Sequence, residues 1–223
     1  MALRYKYKQP LILFLCAFVS LWFIGSSCKN HNHPDKKIFH YNESSGLASL
    51  DPAFAKNKQV MWSTHQLYNT LIEIDSNMQM QPSLATHWNI SEDNLVFTFI
   101  LRNDVFFTDD ACFTNGKGRK LTAHDVEYSF KRIIDKSTAS PGAWIFNNRV
   151  DSVNGFTAIN DTTFQLKLIS PFQSILGILS MQYCSIIPKE AVEKYKTDFR
   201  RHPVGTGPFS FVAWEEGQAL ILK

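Results

Sequence analysis

Two stretches of strand-type periodicity with one capped helix between them constrain this chain more than any other feature. "HWNISEDNLVFTFILRNDVFF" holds two runs rich in β-branched and aromatic residues, joined by Ser91-Glu92-Asp93-Asn94, which reads as a hairpin. "FTAINDTTFQLKL" repeats the arrangement, with Asn160-Asp161 as the turn and Phe164, Leu166 and Leu168 alternating with Gln165 and Lys167. Between them, "LTAHDVEYSFKRIID" opens on Thr122 with Asp125 three residues later, a capping box, and places Ala123, Val126, Phe130, Ile133 and Ile134 on one helical face. Hairpins require antiparallel pairing, so the expected class is mixed α+β rather than uniform βαβ winding.

The flanking segments fit the same class. From Asn57, the residues Val60, Met61, Thr64, Leu67, Tyr68 and Leu71 recur at spacings of three and four, the stripe of an amphipathic helix. A further helix is expected to start with Pro188 as its first residue and to run through "KEAVEKY". "IFHYN" has a short strand pattern, and the glycine, serines and Asp51-Pro52 that follow make Glu43 to Asp51 a loop. At the other end, Gly205, Gly207 and Pro208 mark a turn. Two short strands are expected after it, carrying Phe209, Phe211, Leu220 and Leu222, with Glu215-Glu216-Gly217 between them. The second of these is apolar and has no successor in the sequence. No internal repeat or low-complexity segment is present.

The 223 residues are 44% apolar and 19% charged, a globular composition. Arg4, Lys6 and Lys8 account for the whole formal charge of +3. The remainder is neutral and has no basic block, so nucleic-acid binding has no support. The basic start is followed by an apolar run from Leu11 to Ile24, shorter than the roughly 20 residues a membrane span needs. Gly25, Ser26, Ser27 and Cys28 come next. The whole has the three-part shape of a secretory signal over residues 1–27. Small residues directly before Cys28 resemble a bacterial lipobox, with Gly25 where leucine is usual; a plain secretory leader and an uncleaved anchor are the other readings. Lipid on Cys28 would hold the protein to a membrane surface without spanning it, and residues 28–37 read as a solvated tether. The tether carries His31 and His33, but no third or fourth ligand accompanies them, so neither a metal site nor a cofactor is expected. Of four cysteines, Cys112 and Cys184 lie outside the leader and lipobox. Their separation gives no geometry, and unpaired thiols are the expectation, with a disulfide permitted outside the cytoplasm.

Enzyme templates fail in turn. There is no G-x-S-x-G, no H-E-x-x-H and no Cys-x-x-Cys. "GTGPFS" lacks the third glycine of a dinucleotide loop and has Pro208 where a helix would begin, so it reads as a tight turn feeding a strand. Asp109 and Asp110 are adjacent on a loop, where carboxylates are solvated rather than opposed across a substrate. No catalytic residue is nominated. Trp88, Phe97, Phe99 and Phe130 occupy core positions, whereas Trp144 and Phe146, in the aperiodic "SPGAWIFNN", belong either to the core or to a surface groove.

The blocks "SLDPAFA", "LYNTLIEID", "QPSLATHWNISEDNLVFTFILRNDVFFTDD", "LTAHDVEYSFKRIID" and "HPVGTGPFSFVAWEEGQALILK", in that order, resemble the ABC-transporter solute-binding proteins of family 5, the oligopeptide- and dipeptide-binding group. The resemblance runs from about Ile38 to Lys223 and departs at an insertion-like "ACFTNGKGRK" (Ala111 to Lys120). It implies a two-lobed, type II periplasmic-binding-protein-like α/β fold of which this sequence resembles the N-terminal part. Residues 38–75 and 200–223 would then be a partial lobe I, and residues 76–199 an inserted α+β domain II. It implies a non-enzymatic, extracytoplasmic binding protein that captures peptides, or another small solute, and delivers them to permease subunits in the membrane. Glu43, Ser44, Ser45, Gly46 and Leu47 match the family loop that faces the cleft, and its backbone groups, with the Glu43 carboxylate, are the ligand candidates. Two readings of other classes stay open: an exported lipoprotein hydrolase with its catalytic residues beyond Lys223, and an adhesion or sensing lipoprotein.

Overall fold

The computed structural model describes residues 37–151 and 153–223; the leader, Cys28 and the His31/His33 pair lie outside the described residues. Residues 43–223 form one unit, and residues 37–42, in a separate N-terminal unit, have no regular structure. The strand expected over "IFHYN" is therefore corrected. Strand propensity is a weak prior that context overrides.

Both expected hairpins form, and they join into one sheet. Strands β1 (Ile72–Ile74) and β2 (Met80–Pro82) make a small antiparallel pair. The main sheet contains β3 (Ala85–Ile90), β4 (Val96–Leu101), β5 (Phe156–Asn160) and β6 (Thr163–Lys167), in the order β3-β4-β6-β5 and antiparallel throughout. The register Phe99↔Phe164 and Phe97↔Leu166 brings the apolar alternation of both hairpins onto one face. The opposite face carries a polar row in which Gln165 Nε2 donates to Thr98 Oγ1 at 3.1 Å. Both outer strands break register, β3 between Ala85 and His87 and β5 between Ala158 and Asn160.

Between α1 (Lys58–Leu67) and the later helices α3 (Ile175–Leu179) and α4 (Lys189–Tyr195) comes α2 (Ala123–Ile134), which covers the apolar face of the sheet. Its capping box is complete, with the Asp125 carboxylate accepting from the Thr122 backbone N–H at 2.9 Å. Ala123, Val126, Phe130 and Ile133 are buried, and Ile134 packs at the margin. The Phe130 ring lies 5.1 Å from Phe146, 5.7 Å from Phe156 and 5.5 Å from Phe164 between centroids, two of these contacts edge-on. Phe146 is thus core and not groove, because the turn that carries it folds under α2, whereas Trp144 in the same turn stays 46% exposed.

Helix α1 ends earlier than its stripe suggests. Asn57 caps it by accepting from the Val60 N–H at 3.0 Å. Tyr68 is already extended, so Tyr68 and Leu71 are buried beyond the helix. The reason lies in the glycine-proline turn: Gly207 N–H and Phe209 N–H donate to the carbonyls of Leu67 and Gln66, at 3.0 and 3.1 Å, and so satisfy the helix end from outside. A Cβ on Gly205 would sit 2.1 Å from the Leu67 oxygen, so only glycine permits this approach. At α4, Pro188 is the extended cap and Lys189 the first helical residue, one place later than expected. Among the described residues the last two strands, β7 (Phe211–Glu215) and β8 (Ala219–Leu222), pair only with each other, and Phe209 precedes them in the turn.

The insertion-like segment is tied into the fold by Arg119. Its guanidinium bonds Asp125 at 2.6 and 2.9 Å and Glu190 at 2.6 and 2.8 Å, and lies 5.3 Å from the Phe107 ring centroid. Asp109 and Asp110 are occupied structurally: Asp109 accepts from Lys117 and the Gly118 N–H, and Asp110 from the Cys112 N–H and the Tyr195 hydroxyl.

Cys112 and Cys184 are both free thiols. Burial, with the neighbouring Asp110 charge adding to it, pushes the Cys112 thiol up to about 12, and burial alone raises Cys184 still further. Because the thiolate is the nucleophile, iodoacetamide at pH 8 is expected to leave both residues unmodified in the folded protein and to modify both in denaturant. Cys112 alkylation is expected to accelerate about tenfold per pH unit, since each unit multiplies the thiolate fraction tenfold below its pKa. Peptide mass spectrometry reads the result; rapid modification of folded Cys112 at pH 8 would contradict it.

Candidate functional site

Glu43 to Leu47 form no helix or strand and bend at Ser44-Ser45. Ser44, Ser45 and Gly46 are exposed, and Glu43 and Leu47 are half-buried. The Ser45 N–H donates to Glu43 Oε1 at 3.5 Å. Among the described residues, no hydrogen bond occupies the backbone groups of Ser44, Gly46 or Leu47. Exposed main-chain donors and acceptors of this kind suit an extended chain laid beside them.

The exit from this loop is held tightly. The Leu50 N–H donates to the Arg200 carbonyl at 2.9 Å, and Arg200 Nη1 donates to the Ala48 carbonyl at 3.3 Å. Asp51 is 3% exposed and caps the 3-10 turn Pro52–Phe54 by accepting from the Ala53 N–H at 3.0 Å. Its two oxygens also receive Arg132 from α2, Nη1 at 2.9 Å and Nη2 at 2.6 Å, a bidentate pair. The Arg132 pKa is raised, although burial opposes its charge, because the Asp51 carboxylate outweighs that burial. Tyr68 lies within electrostatic reach of both. Burial first and the Asp51 charge second push its phenol well above the usual tyrosine value.

The same 3-10 turn holds a second exposed segment. Ser140 Oγ donates to the Ala53 carbonyl at 2.6 Å and accepts from the Gly142 N–H at 3.0 Å. Gly142 then lies against the Tyr183 ring, and the next turn, Ala143–Ile145, presents the Trp144 indole to solvent. Sequence reading did not identify Asp51, Arg132 or Ser140. The signal available was an acid in "SLDPAFA" and a base in "YSFKRIID", but nothing local pairs residues 81 positions apart.

A separate open cleft of about 480 Å³ is lined by Asn69, Glu73, Ser83, Arg102, Asp104 and Thr206, and none of residues 43–47 reaches it. Its polar groups bond one another: Ser83 donates to Glu73 at 2.9 Å, Thr206 to Asn69 at 3.0 Å, and Arg102 to Asp104 at 2.9 and 3.0 Å. Among the described residues no group of three or more metal-ligating side chains occurs, and no helix is long and apolar enough to cross a membrane.

Comparison with known proteins identifies the family of the chain. Residues 79–223 match the family described as bacterial extracellular solute-binding proteins, family 5, middle region. The chain is 30% identical over 171 residues to the peptide transport periplasmic protein SapA of Salmonella typhimurium, a match covering 71% of this chain and 31% of that one. It is 26% identical over 179 residues to the glutathione-binding protein GsiB of Salmonella choleraesuis, covering 80% and 33%. Among solved structures, the periplasmic binding protein DppA of Helicobacter pylori, in complex with the peptide STSA, superposes with a TM-score of 0.68 at 31% identity, over 78% of this chain and 36% of that one. The chain spans about a third of the length of the curated relatives it matches. The mixed α/β architecture is the one shared with these periplasmic binding proteins, and the chain belongs to the bacterial extracellular solute-binding proteins of family 5.

Proposed function

We propose that the full-length protein is the extracytoplasmic solute receptor of an ABC importer, that its ligand is a peptide, and that it delivers the ligand to membrane permease subunits without catalysing a reaction. The observation that carries this reading is the Glu43 to Leu47 loop. The backbone groups of Ser44, Gly46 and Leu47, which no hydrogen bond among the described residues occupies, suit main-chain recognition of a peptide. Such recognition is indifferent to side-chain identity and so tolerates many sequences. The exposed Trp144 indole supplies an apolar surface for one ligand side chain. SapA, by name a peptide transport protein, and DppA, solved with the peptide STSA, support the choice of peptide. In this reading residues 38–75 and 200–223 belong to one lobe and 76–199 to an inserted domain, and closure of lobes around the ligand would signal occupancy to the permease. Lipid on Cys28 would anchor the protein to a bacterial membrane on its extracytoplasmic side, in the periplasm or at the cell surface.

The test uses the full-length protein, stripped of co-purified ligand by unfolding and refolding. Di- to pentapeptide mixtures are expected to raise its melting temperature, since ligand at a hundredfold excess over Kd contributes about 2.7 kcal/mol. Peptides recovered from the native preparation should be intact. No shift with any peptide, or cleavage of the peptides, would overturn the reading. Detergent-phase partitioning of the same protein is expected to disappear in Cys28→Ala, and unchanged partitioning would refute the anchor.

A further inference from the structure

We infer that the buried Asp51–Arg132 pair, together with Ser140, is a positioning device that fixes the spacing between the Glu43 to Leu47 loop and the Trp144 turn, and so sets ligand affinity. This rests on the assignment of those two segments to the ligand. The loop belongs to no helix or strand, and Trp144 lies in a single three-residue 3-10 turn, Ala143–Ile145. Both converge on the three-residue turn Pro52–Phe54. Asp51 opens that turn and, through Ser49 Oγ accepting its N–H at 3.0 Å, binds back toward the loop. Ala53, within the turn, receives Ser140.

The turn is too short to be rigid by itself, and Arg132 supplies the rigidity. Two parallel N–H···O bonds fix a carboxylate in position and in rotation, which a single point charge does not. The guanidinium is held on its other side by the Phe199 ring, 5.5 Å away between its carbon and the ring centroid. The next residue, Arg200, receives the Leu50 N–H. The loop exit is therefore held from two sides, by the Arg132 guanidinium on Asp51 and by the Arg200 carbonyl on the Leu50 N–H. A ligand that meets a loop and a turn already at their bound spacing loses less ordering entropy on binding.

A purely structural ion pair would affect stability and leave affinity alone, and a matched control separates the two. In the full-length protein, Arg132→Lys keeps the charge and removes the fork, Ser140→Ala removes the second tie, and Arg119→Lys loosens the comparable fork on Asp125 and Glu190, which touches neither segment. Binding of a tight-binding tripeptide is measured by stopped flow and calorimetry well below each melting temperature. Arg132→Lys and Ser140→Ala are each expected to raise Kd about tenfold, mainly through koff, as affinity changes within one interface usually are. Arg119→Lys is expected to lower the melting temperature while leaving Kd within about twofold. If Arg132→Lys and Ser140→Ala bind as wild type, or if Arg119→Lys weakens binding as much as they do, the inference is wrong and the receptor reading stands. If wild type binds no peptide, the receptor reading fails and takes this inference with it. Should Arg132→Lys not fold, Ser140→Ala against Arg119→Lys decides alone.

Discussion

Phe130→Ala is expected to destabilise the protein by about 3–5 kcal/mol, the range for emptying a fully packed aromatic site. Phe130 has no exposed surface, and its ring is enclosed by Phe146, Phe156 and Phe164, which come from a turn and two strands. Those strands are locked by their ladder and the turn by Ser140, so the cavity cannot close by a simple slide. Against a typical total of about 5–15 kcal/mol, the loss is large enough to lower expression as well as the denaturation midpoint. Urea denaturation of the full-length protein measures it, with Phe106→Ala as the comparison. Phe106 is 58% exposed and should cost within about 0.5 kcal/mol. A Phe130→Ala loss below about 1 kcal/mol would mean that α2 does not pack on the sheet as described.

The second large effect concerns a single added methyl group. Gly205→Ala would place Cβ 2.1 Å from the Leu67 carbonyl oxygen and 2.6 Å from the Tyr68 ring, distances that real contacts do not reach. The turn must move away from the end of α1. That move strains or breaks the Gly207 N–H bond to Leu67 and the Thr108 N–H bond to Gly205. Overpacking costs roughly 1–3 kcal/mol and each lost hydrogen bond about 1 kcal/mol more, so a loss of about 3 kcal/mol or greater is expected. Gly177→Ala, inside α3 with nothing within 4 Å of the new Cβ, should instead stabilise by up to about 1 kcal/mol. Opposite signs from the same substitution test the placement of the turn directly, by the shift of the melting transition. Equal effects would refute it.

What could be read beforehand follows from which interactions are local. The capping box of α2, the Asn57 cap and both hairpins announce themselves because their partners lie within a few residues. The apolar stripe of α1 runs past the end of the helix because the donors that end it come from Gly207 and Phe209, far along the chain. Phe146 and Trp144 sit two positions apart in an aperiodic segment, and only packing decides that one is core and the other surface. The expected ligand loop is a loop, yet what holds its exit, Asp51 with Arg132, spans 81 positions and leaves no local pattern. "IFHYN" shows the converse, since its strand propensity alone does not make it a strand.

The register breaks in β3 and β5 bear on how copies of the protein meet at high concentration. An outer strand with regular spacing offers an incoming strand an unbroken row of N–H and C=O groups, the template for fibre growth. Here the bulges at Ala85/His87 and Ala158/Asn160 twist that row out of line on both borders. Each break disfavours in-register addition of a strand from another copy along the borders of the four described strands.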